Sequence, residues 1–296
     1  MKILTLNTHS LQEENYWLKL ACFLDIIVRE RPDIVALQEV NQTISAPLID
    51  PVRLNNMVPV PGNEIPVRWD NHAAEVAYRL GRAGVPCSWT WLPIKVGYGK
   101  YDEGVALLSL SGKITQVDSF RISRSDNYHN WKTRKVLGVR IEGREDWFYT
   151  AHMGWWGDED EPFLMQWGRL DTRLAEKKEL APVWLLGDFN SPAEVRNEGY
   201  DCIRKFGWQD TYLLADKKDS GITVEGVIDG WRDKLDPSAK ANGMRIDHIW
   251  CSQTVPIRRS HVKFNGKNGP QVSDHFGVLV ETGPEEESSL KEVCNL

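Results

Sequence analysis

The sequence predicts an α/β fold of the α+β type, a mixed β-sheet covered by helices, and three observations predict it. Short apolar runs rich in β-branched residues recur along the chain, and amphipathic helical stripes lie between some of them. From 86 to 152 the apolar runs follow one another as consecutive strands, before strands and helices alternate again.

In chain order, KILTL (2–6) and DIVALQ (33–38) read as buried strands, too short and too β-branched for helices. Between them Trp17, Leu20, Ala21, Leu24, Ile27 and Val28 fall at helical spacing, and Pro32 ends that helix. Residues 41–70 form a long connection rich in Pro and Asn, and a second helix is expected over 72–83 (HAAEVAYRLGRA). GVALLSL (104–110), KVLGVRI (135–141) and WFYTAH (147–152) are the next strands. A third helix starts at Pro162, with Phe163, Trp167, Leu170 and Leu174 on one face and acids ahead of its positive end. VWLLG (183–187), RIDHIW (245–250) and FGVLVE (276–281) complete the strands, and 214–243 is a second long connection. Connections this long in an enzyme-sized chain are often functional loops. With no repeat and no shift in composition, residues 1–283 are expected to form a single domain, and 284–296 (PEEESSLKEVCNL) a peripheral tail.

The 296 residues are 41% apolar and 26% charged, enough for a sizeable core, so disorder is set aside except at the ends. The net charge of −6 lowers the expectation of a partner held through phosphate contacts or of an anionic membrane surface. Cys22, Cys87, Cys202, Cys251 and Cys294 are scattered and odd in number, which argues against a disulfide framework and for a reducing cytoplasm. The opening MKILTLNTHS lacks the apolar region of a signal peptide, and no stretch approaches the length of a membrane span. Thirteen tryptophans exceed ordinary packing needs and hint at flat surfaces for a ligand.

Polar residues recur at strand ends: Asn7 after KILTL, Glu39 after DIVALQ, His152 closing WFYTAH, and Asp188 with Asn190 after VWLLG. Asp247 interrupts RIDHIW, and Asp274 with His275 precedes FGVLV. Each alone reads best as a cap or a surface residue; together, at the ends of strands where α/β sheets collect ligands, they read as a site. Glu39, Asp274 and Asn7 offer hard oxygen donors suited to Mg²⁺ or Mn²⁺ rather than zinc. His275, fixed by an aspartate, could act as general base on water, with Asp188 and Asn190 orienting it.

GDFN (187–190), RIDHIW (245–250) and SDHFGV (273–278), preceded in order by LNTHS (6–10) and LQEV (37–40), resemble the endonuclease/exonuclease/phosphatase superfamily from Lys2 to Val280. The resemblance implies a four-layer α/β sandwich, two mixed β-sheets packed face to face with helices outside, that hydrolyses phosphoester bonds with a divalent metal. It implies that Glu39 is the main metal carboxylate, Asn7 its supporting amide and Asp274 the second carboxylate beside the catalytic His275. Asp188 and Asn190 would position nucleophile and phosphate, Asp247 would orient a catalytic histidine, and His152 would touch the phosphoryl oxygen. Glu103 in DEG matches an acid found near the catalytic histidine in several branches. His248 stands where many members have Tyr, a position expected to be peripheral to the chemistry.

WKTRK (131–135), HMGWWGDEDEPFLMQW (152–167), GWQDTY (207–212) and GITVEGVIDGW (221–231) resemble a Gram-positive subgroup that includes the maltose 6′-phosphate phosphatases. A phosphorylated sugar substrate follows as the expectation. Trp155 and Trp156, close behind His152, could stack on a sugar ring, although Trp156 could equally pack in the core. Lys132 and Arg134 are candidate phosphate clamps. Asp158, Glu159, Asp160 and Glu161 would repel a polyanion, or cap the helix that follows. The alternative is a Mg-dependent nuclease of the abasic-site type, against which that acid run argues. A sphingomyelinase-type enzyme would need a secreted chain, and a non-catalytic scaffold need not keep these polar residues. No protein partner is implied.

Overall fold

The first strand, β1 (Lys2–Asn7), shows how side-chain alternation writes the architecture. Ile3 enters one hydrophobic cluster, while Leu4 and Leu6 enter another on the opposite face. The computed structural model describes residues 1–226 and 243–283. The end of GITVEGVIDGW, most of the 214–243 connection, the expected tail and Cys294 lie outside the described residues.

The other strands are β2 (Ile34–Thr43), β3 (Ser88–Gly97), β4 (Tyr101–Ser109), β5 (Ile114–Arg121), β6 (Lys135–Ile141) and β7 (Trp147–His152). They continue with β8 (Val183–Asp188), β9 (Gln209–Asp210), β10 (Ala215–Lys218), β11 (Asp247–Cys251), β12 (Ile257–Lys263) and β13 (Gly277–Thr282). A seven-stranded sheet runs β10-β12-β13-β1-β2-β4-β3, and a six-stranded sheet runs β5-β6-β7-β8-β11-β9. Both are mixed: β1 pairs parallel with β2, and β7 parallel with β8, among antiparallel neighbours.

One cluster joins Ile34, Ala36 and Leu107 of the first sheet to Leu137, Phe148 and Leu186 of the second, so the sheets pack face to face. The outer face of the first sheet is covered by α1 (Tyr16–Glu30) and α2 (His72–Arg82). The outer face of the second is covered by α3 (Phe163–Leu180) and α4 (Gly199–Lys205); the short α5 (Thr211–Leu214) leads into β10. The four-layer α/β sandwich is therefore the observed fold. Among the described residues no helix is long and apolar enough to cross a membrane.

The strands expected from apolar runs form within a few residues of their expected limits. β3, β5, β9, β10 and β12 had no such run: Pro and Lys interrupt β3, β5 is an edge strand with exposed residues, β9 and β10 are very short, and β12 is mostly polar. The stripe of α1 is shifted: Leu20, Phe23, Ile26 and Ile27 are buried, whereas Trp17 is exposed under the Arg79 guanidinium, 5.1 Å from its ring. The surplus of tryptophan is mostly core, with Trp89, Trp91, Trp167 and Trp250 fully buried. The acid run does not cap α3, whose first turn holds no acid. Asp158 and Asp160 pair with Lys132, and Glu161 is buried, accepting from the backbone N–H groups of Arg124 and Ser125 at 2.6 and 2.7 Å. Asp158 and Glu161 are thus committed to the loop itself, while Glu159 and Asp160 stay exposed at its surface.

Gly187 is required where β7 and β8 run side by side. Its φ of 147° is a glycine conformation, and a Cβ there would lie 1.9 Å from the Ala151 carbonyl oxygen. Gly187→Ala is expected to destabilise the protein by about 3 kcal/mol or more, read as a lower denaturant midpoint at unchanged slope.

Candidate active site

The site begins with an irregularity in β2. Pairing with β4 shifts register between Leu37 and Val40, and Glu39 adopts a φ of 51°. Such a bulge re-aims a side chain, but it strands backbone carbonyls that need donors. Each is met: Thr8 donates to the Gln38 carbonyl through N–H and Oγ1 at 3.0 and 2.8 Å, Ser10 Oγ to that of Glu39 at 2.7 Å, and Trp91 Nε1 to that of Val40 at 3.1 Å. The motif LNTHS thus does two jobs. Its Asn7 enters the site, and its hydroxyls hold the bulge that presents Glu39.

Alternation supplies the other residues. On β7 and β8, Phe148 and Trp184 face the inter-sheet core, and two-residue steps carry His152 and Asp188 to the same face. Strand register then sets His152 beside Asp188, and Asp188 beside Asp247 of β11. Asn7 reaches across from the first sheet, donating to Glu39 Oε1 at 2.9 Å and Asp188 Oδ2 at 3.1 Å. Asp188 Oδ1 accepts from the Asn190 N–H at 2.8 Å, closing a turn in which Asn190 has a φ of 46°. His275 Nδ1 donates to Asp247 Oδ2 at 2.9 Å, which leaves Nε2 facing Asp188 Oδ2 at 3.9 Å. Ser273 ties this segment to β1 by donating to the Asn7 carbonyl at 2.7 Å.

Glu39, His152, Asp188, Asn190 and His275 line a cavity of about 270 Å³. Burial, then Glu103 and Asp274, push the Glu39 carboxyl up to about 7; burial also pushes Asp188 up to about 6, against the opposing pull of His275. Burial disfavours the charged form of His275, but Asp247, then Asp188 and Asp274, outweigh it and hold the imidazole well above its ordinary value. His152 goes the other way: burial, with Arg134 and Lys95 nearby, keeps its ring neutral, with Nε2 3.5 Å from Asp188 Oδ2. Glu39 and Asp274 are half-buried carboxylates that repel each other across the cavity, with the Asn7 amide bonded to Glu39; hard oxygen donors of this kind fit a divalent cation.

Of the residues expected from sequence, Glu39, Glu103, Arg134, His152, Trp155, Asp188, Asn190, Asp274 and His275 line the cavity. Asn7 and Asp247 stand directly behind it through the bonds above. Trp156 lies outside, its ring 6.0 Å from that of Phe163 in the core. Lys132 lies outside too, its ammonium held by Asp158 and Asp160 at 2.9 and 2.7 Å. His248 is buried behind the site, accepting from Arg245 on Nδ1 at 3.0 Å and donating from Nε2 to the Ser191 carbonyl at 3.1 Å.

Sequence reading missed Lys95, Trp131, His9 and Tyr98, all of which line the cavity. Trp131 and His9 were inside motifs already noted, and a lysine within the apolar stretch WLPIKVG was a signal for Lys95. Tyr98 carried none. His9 Nδ1 pairs with Glu13 at 2.8 Å; burial opposes its charge, but Glu13, Asp274 and Glu39 raise the ring to about 9.

The chain matches the endonuclease/exonuclease/phosphatase family over residues 4–275, a span that contains every group in this cavity. It is similar to an endonuclease/exonuclease/phosphatase family protein from Leptotrichia buccalis, at 31% identity over 96% of this chain and 99% of that one, with a TM-score of 0.81. It shares its fold with a mannosyl-6-phosphatase from Bacteroides thetaiotaomicron (16% identity, 96% and 99% covered, TM-score 0.63). It also shares it with TDP2 from Caenorhabditis elegans (16% identity, 95% and 74% covered, TM-score 0.58). No curated protein matches it in sequence. Motifs that are far apart in sequence converge on one cleft, within a span matched end to end, and the chain accordingly belongs to the endonuclease/exonuclease/phosphatase family of divalent-metal-dependent phosphoester hydrolases.

Proposed function

We propose that residues 1–283 form a single catalytic domain, a Mg²⁺- or Mn²⁺-dependent phosphomonoesterase of the cytoplasm acting on a phosphorylated sugar, with maltose 6′-phosphate the first candidate. One observation carries the reading. The catalytic groups share their cavity with two tryptophans, Trp131 and Trp155, whose rings lie 5.7 Å apart at an interplanar angle of 59°. Flat apolar faces beside phosphate chemistry suit a sugar ring and leave its hydroxyls to polar neighbours. The fold houses such chemistry in the Bacteroides mannosyl-6-phosphatase.

In this reading Glu39, Asp274 and Asn7 hold the metal. When bound, it polarises a phosphoryl oxygen and offsets the charge that develops there. The neutral His152 ring and the Asn190 amide contact the phosphoryl group, and Arg134 balances its charge. His275, oriented by Asp247, handles the proton of the attacking water together with Asp188. Glu103 holds Lys95 through a 3.1 Å ion pair. Trp155 is the sugar platform, and Trp156 packs against Phe163 in the core.

The test is phosphate release in Mg²⁺ or Mn²⁺ across sugar phosphates and nucleotides, alongside cleavage of abasic DNA. A disaccharide phosphate should be turned over far faster than DNA; rapid DNA cleavage with negligible sugar-phosphate turnover overturns the reading. Trp155→Ala is expected to lower kcat/KM about 10-fold or more for the sugar phosphate and much less for a small aryl phosphate. Equal losses on both would make this tryptophan structural.

A further inference from the structure

Arg134 is only 3% exposed and lines the cavity, yet its bonds do not use up its donors. One terminal nitrogen donates to the carbonyls of Trp131 and Thr133, at 3.0 and 3.3 Å, while the buried Nε has no hydrogen-bond partner. Lys95 lies beside it. Its Nζ donates to the same Trp131 carbonyl at 2.9 Å and pairs with Glu103 at 3.1 Å. One carbonyl oxygen therefore gathers two cations on one wall of the cavity.

The backbone is shaped to put them there. Register between β3 and β4 shifts between Pro93 and Lys95, setting Lys95 opposite Glu103. Gly97 leaves room for the Glu103 carboxylate, which a Cβ at that position would meet at 2.3 Å. Like charges placed together in a buried wall cost free energy unless an anion arrives with more than one negative oxygen to share. Glu103 pairs with Lys95 and also faces Arg134, so one carboxylate is shared between two cations on this wall. Lys132, the lysine in the WKTRK motif, is committed to Asp158 and Asp160 and does not compete for the role.

We propose that Lys95 and Arg134 together form a two-cation clamp for the terminal oxygens of a phosphoryl group, and that Lys95 sets the preference for monoesters over diesters. A phosphomonoester dianion presents three terminal oxygens, enough for the metal side of the cavity and for both cations; a diester presents two and half the charge. The clamp rests on the phosphomonoesterase reading for its substrate, but not for its ligand chemistry.

The experiment measures kcat/KM for p-nitrophenyl phosphate and for bis-p-nitrophenyl phosphate, and binding of inorganic phosphate by calorimetry, all in Mg²⁺. Lys95→Met is expected to lose about 30-fold or more on the monoester and in phosphate affinity, but less than about 3-fold on the diester. Lys95→Arg should recover most of the loss. Because Lys95→Met leaves Glu103 buried without its partner, the double variant Lys95→Met/Glu103→Gln is measured beside it. The double variant should regain thermal stability while phosphate binding stays weak. Recovery of phosphate binding in the double variant, or equal losses on monoester and diester, overturns the clamp. Loss of phosphate binding in Lys95→Met, where wild type itself turns over no sugar phosphate, leaves the clamp standing and sinks the substrate reading. Undiminished monoester turnover by Lys95→Met does the reverse.

Discussion

His275→Ala lowers kcat for phosphate release by about 10³-fold or more, the range expected when a positioned proton-transfer group is lost. The reason is the bond at its far nitrogen. Nδ1 is committed to Asp247 at 2.9 Å, so Nε2 alone faces Asp188 and the cavity. The alanine variant also leaves Asp247 buried and unpaired, which costs about 3 kcal/mol or more of stability and could mimic a catalytic loss. His275→Gln separates the two effects, because its amide can still donate to Asp247 while offering no titrating nitrogen to water. The glutamine variant is expected to melt near the wild-type temperature with turnover still down by about 10²-fold or more. Turnover within a few-fold of wild type in that variant would remove His275 from the chemistry. Asp247→Asn should give an intermediate loss in kcat with KM little changed, since it disturbs the ring's orientation rather than the substrate.

Glu39→Gln gives the second large effect, and its sign depends on the metal. Without metal, the Glu39 carboxyl titrates at about 7 in the folded protein against an ordinary 4.5, because it is buried and faces Glu103 and Asp274. A raised carboxyl binds its proton more tightly folded than unfolded. This group is therefore least harmful to stability below pH 4.5, and its burden grows as pH rises towards 7. The full difference is on the order of 3 kcal/mol. Metal-free Glu39→Gln is thus expected to melt at a higher temperature than metal-free wild type at pH 8, and at about the same temperature at pH 4. Adding Mg²⁺ reverses the order at pH 8, since wild type gains stability by binding it and the variant lacks the carboxylate that does so. Turnover in the variant falls by about 10³-fold, and the Mg²⁺ concentration needed for half activity rises about 10-fold or more. A Mg²⁺-induced shift in melting temperature as large as that of wild type would show that Glu39 does not hold the ion.

Much of this site is legible in the chain itself. Strands betray themselves by alternation, and the inter-sheet face must be apolar, so a polar residue ending such a run is conspicuous. Asn7, His152 and Asp188 stand out for that reason, one step beyond Thr5, Thr150 and Leu186 on the same faces. Glu39 was visible as the residue after DIVALQ, although the bulge that turns it inward was not, since it depends on pairing with β4 and on donors from Thr8, Ser10 and Trp91. Composition misled in two places: the surplus of tryptophan is mostly core, and the acid run is only partly a surface. Four successive acids looked like a charged surface, yet Asp158 and Asp160 hold Lys132, and Glu161 is buried on backbone donors.

The sequence by itself determined the fold class, the strands that carry the chemistry and the residues at their ends, because period and strand-end polarity are local properties of the chain. Tertiary structure alone decided which of them meet. His152, Asp188 and Asp247 stand in a row because of strand register, and Lys95 rather than Lys132 reaches the cavity because a bulge in β3 and one carbonyl of Trp131 hold it there. A lysine's charge is written in the chain. Whether it is already neutralised by an aspartate is a matter of distance across loops, and only the folded protein fixes that.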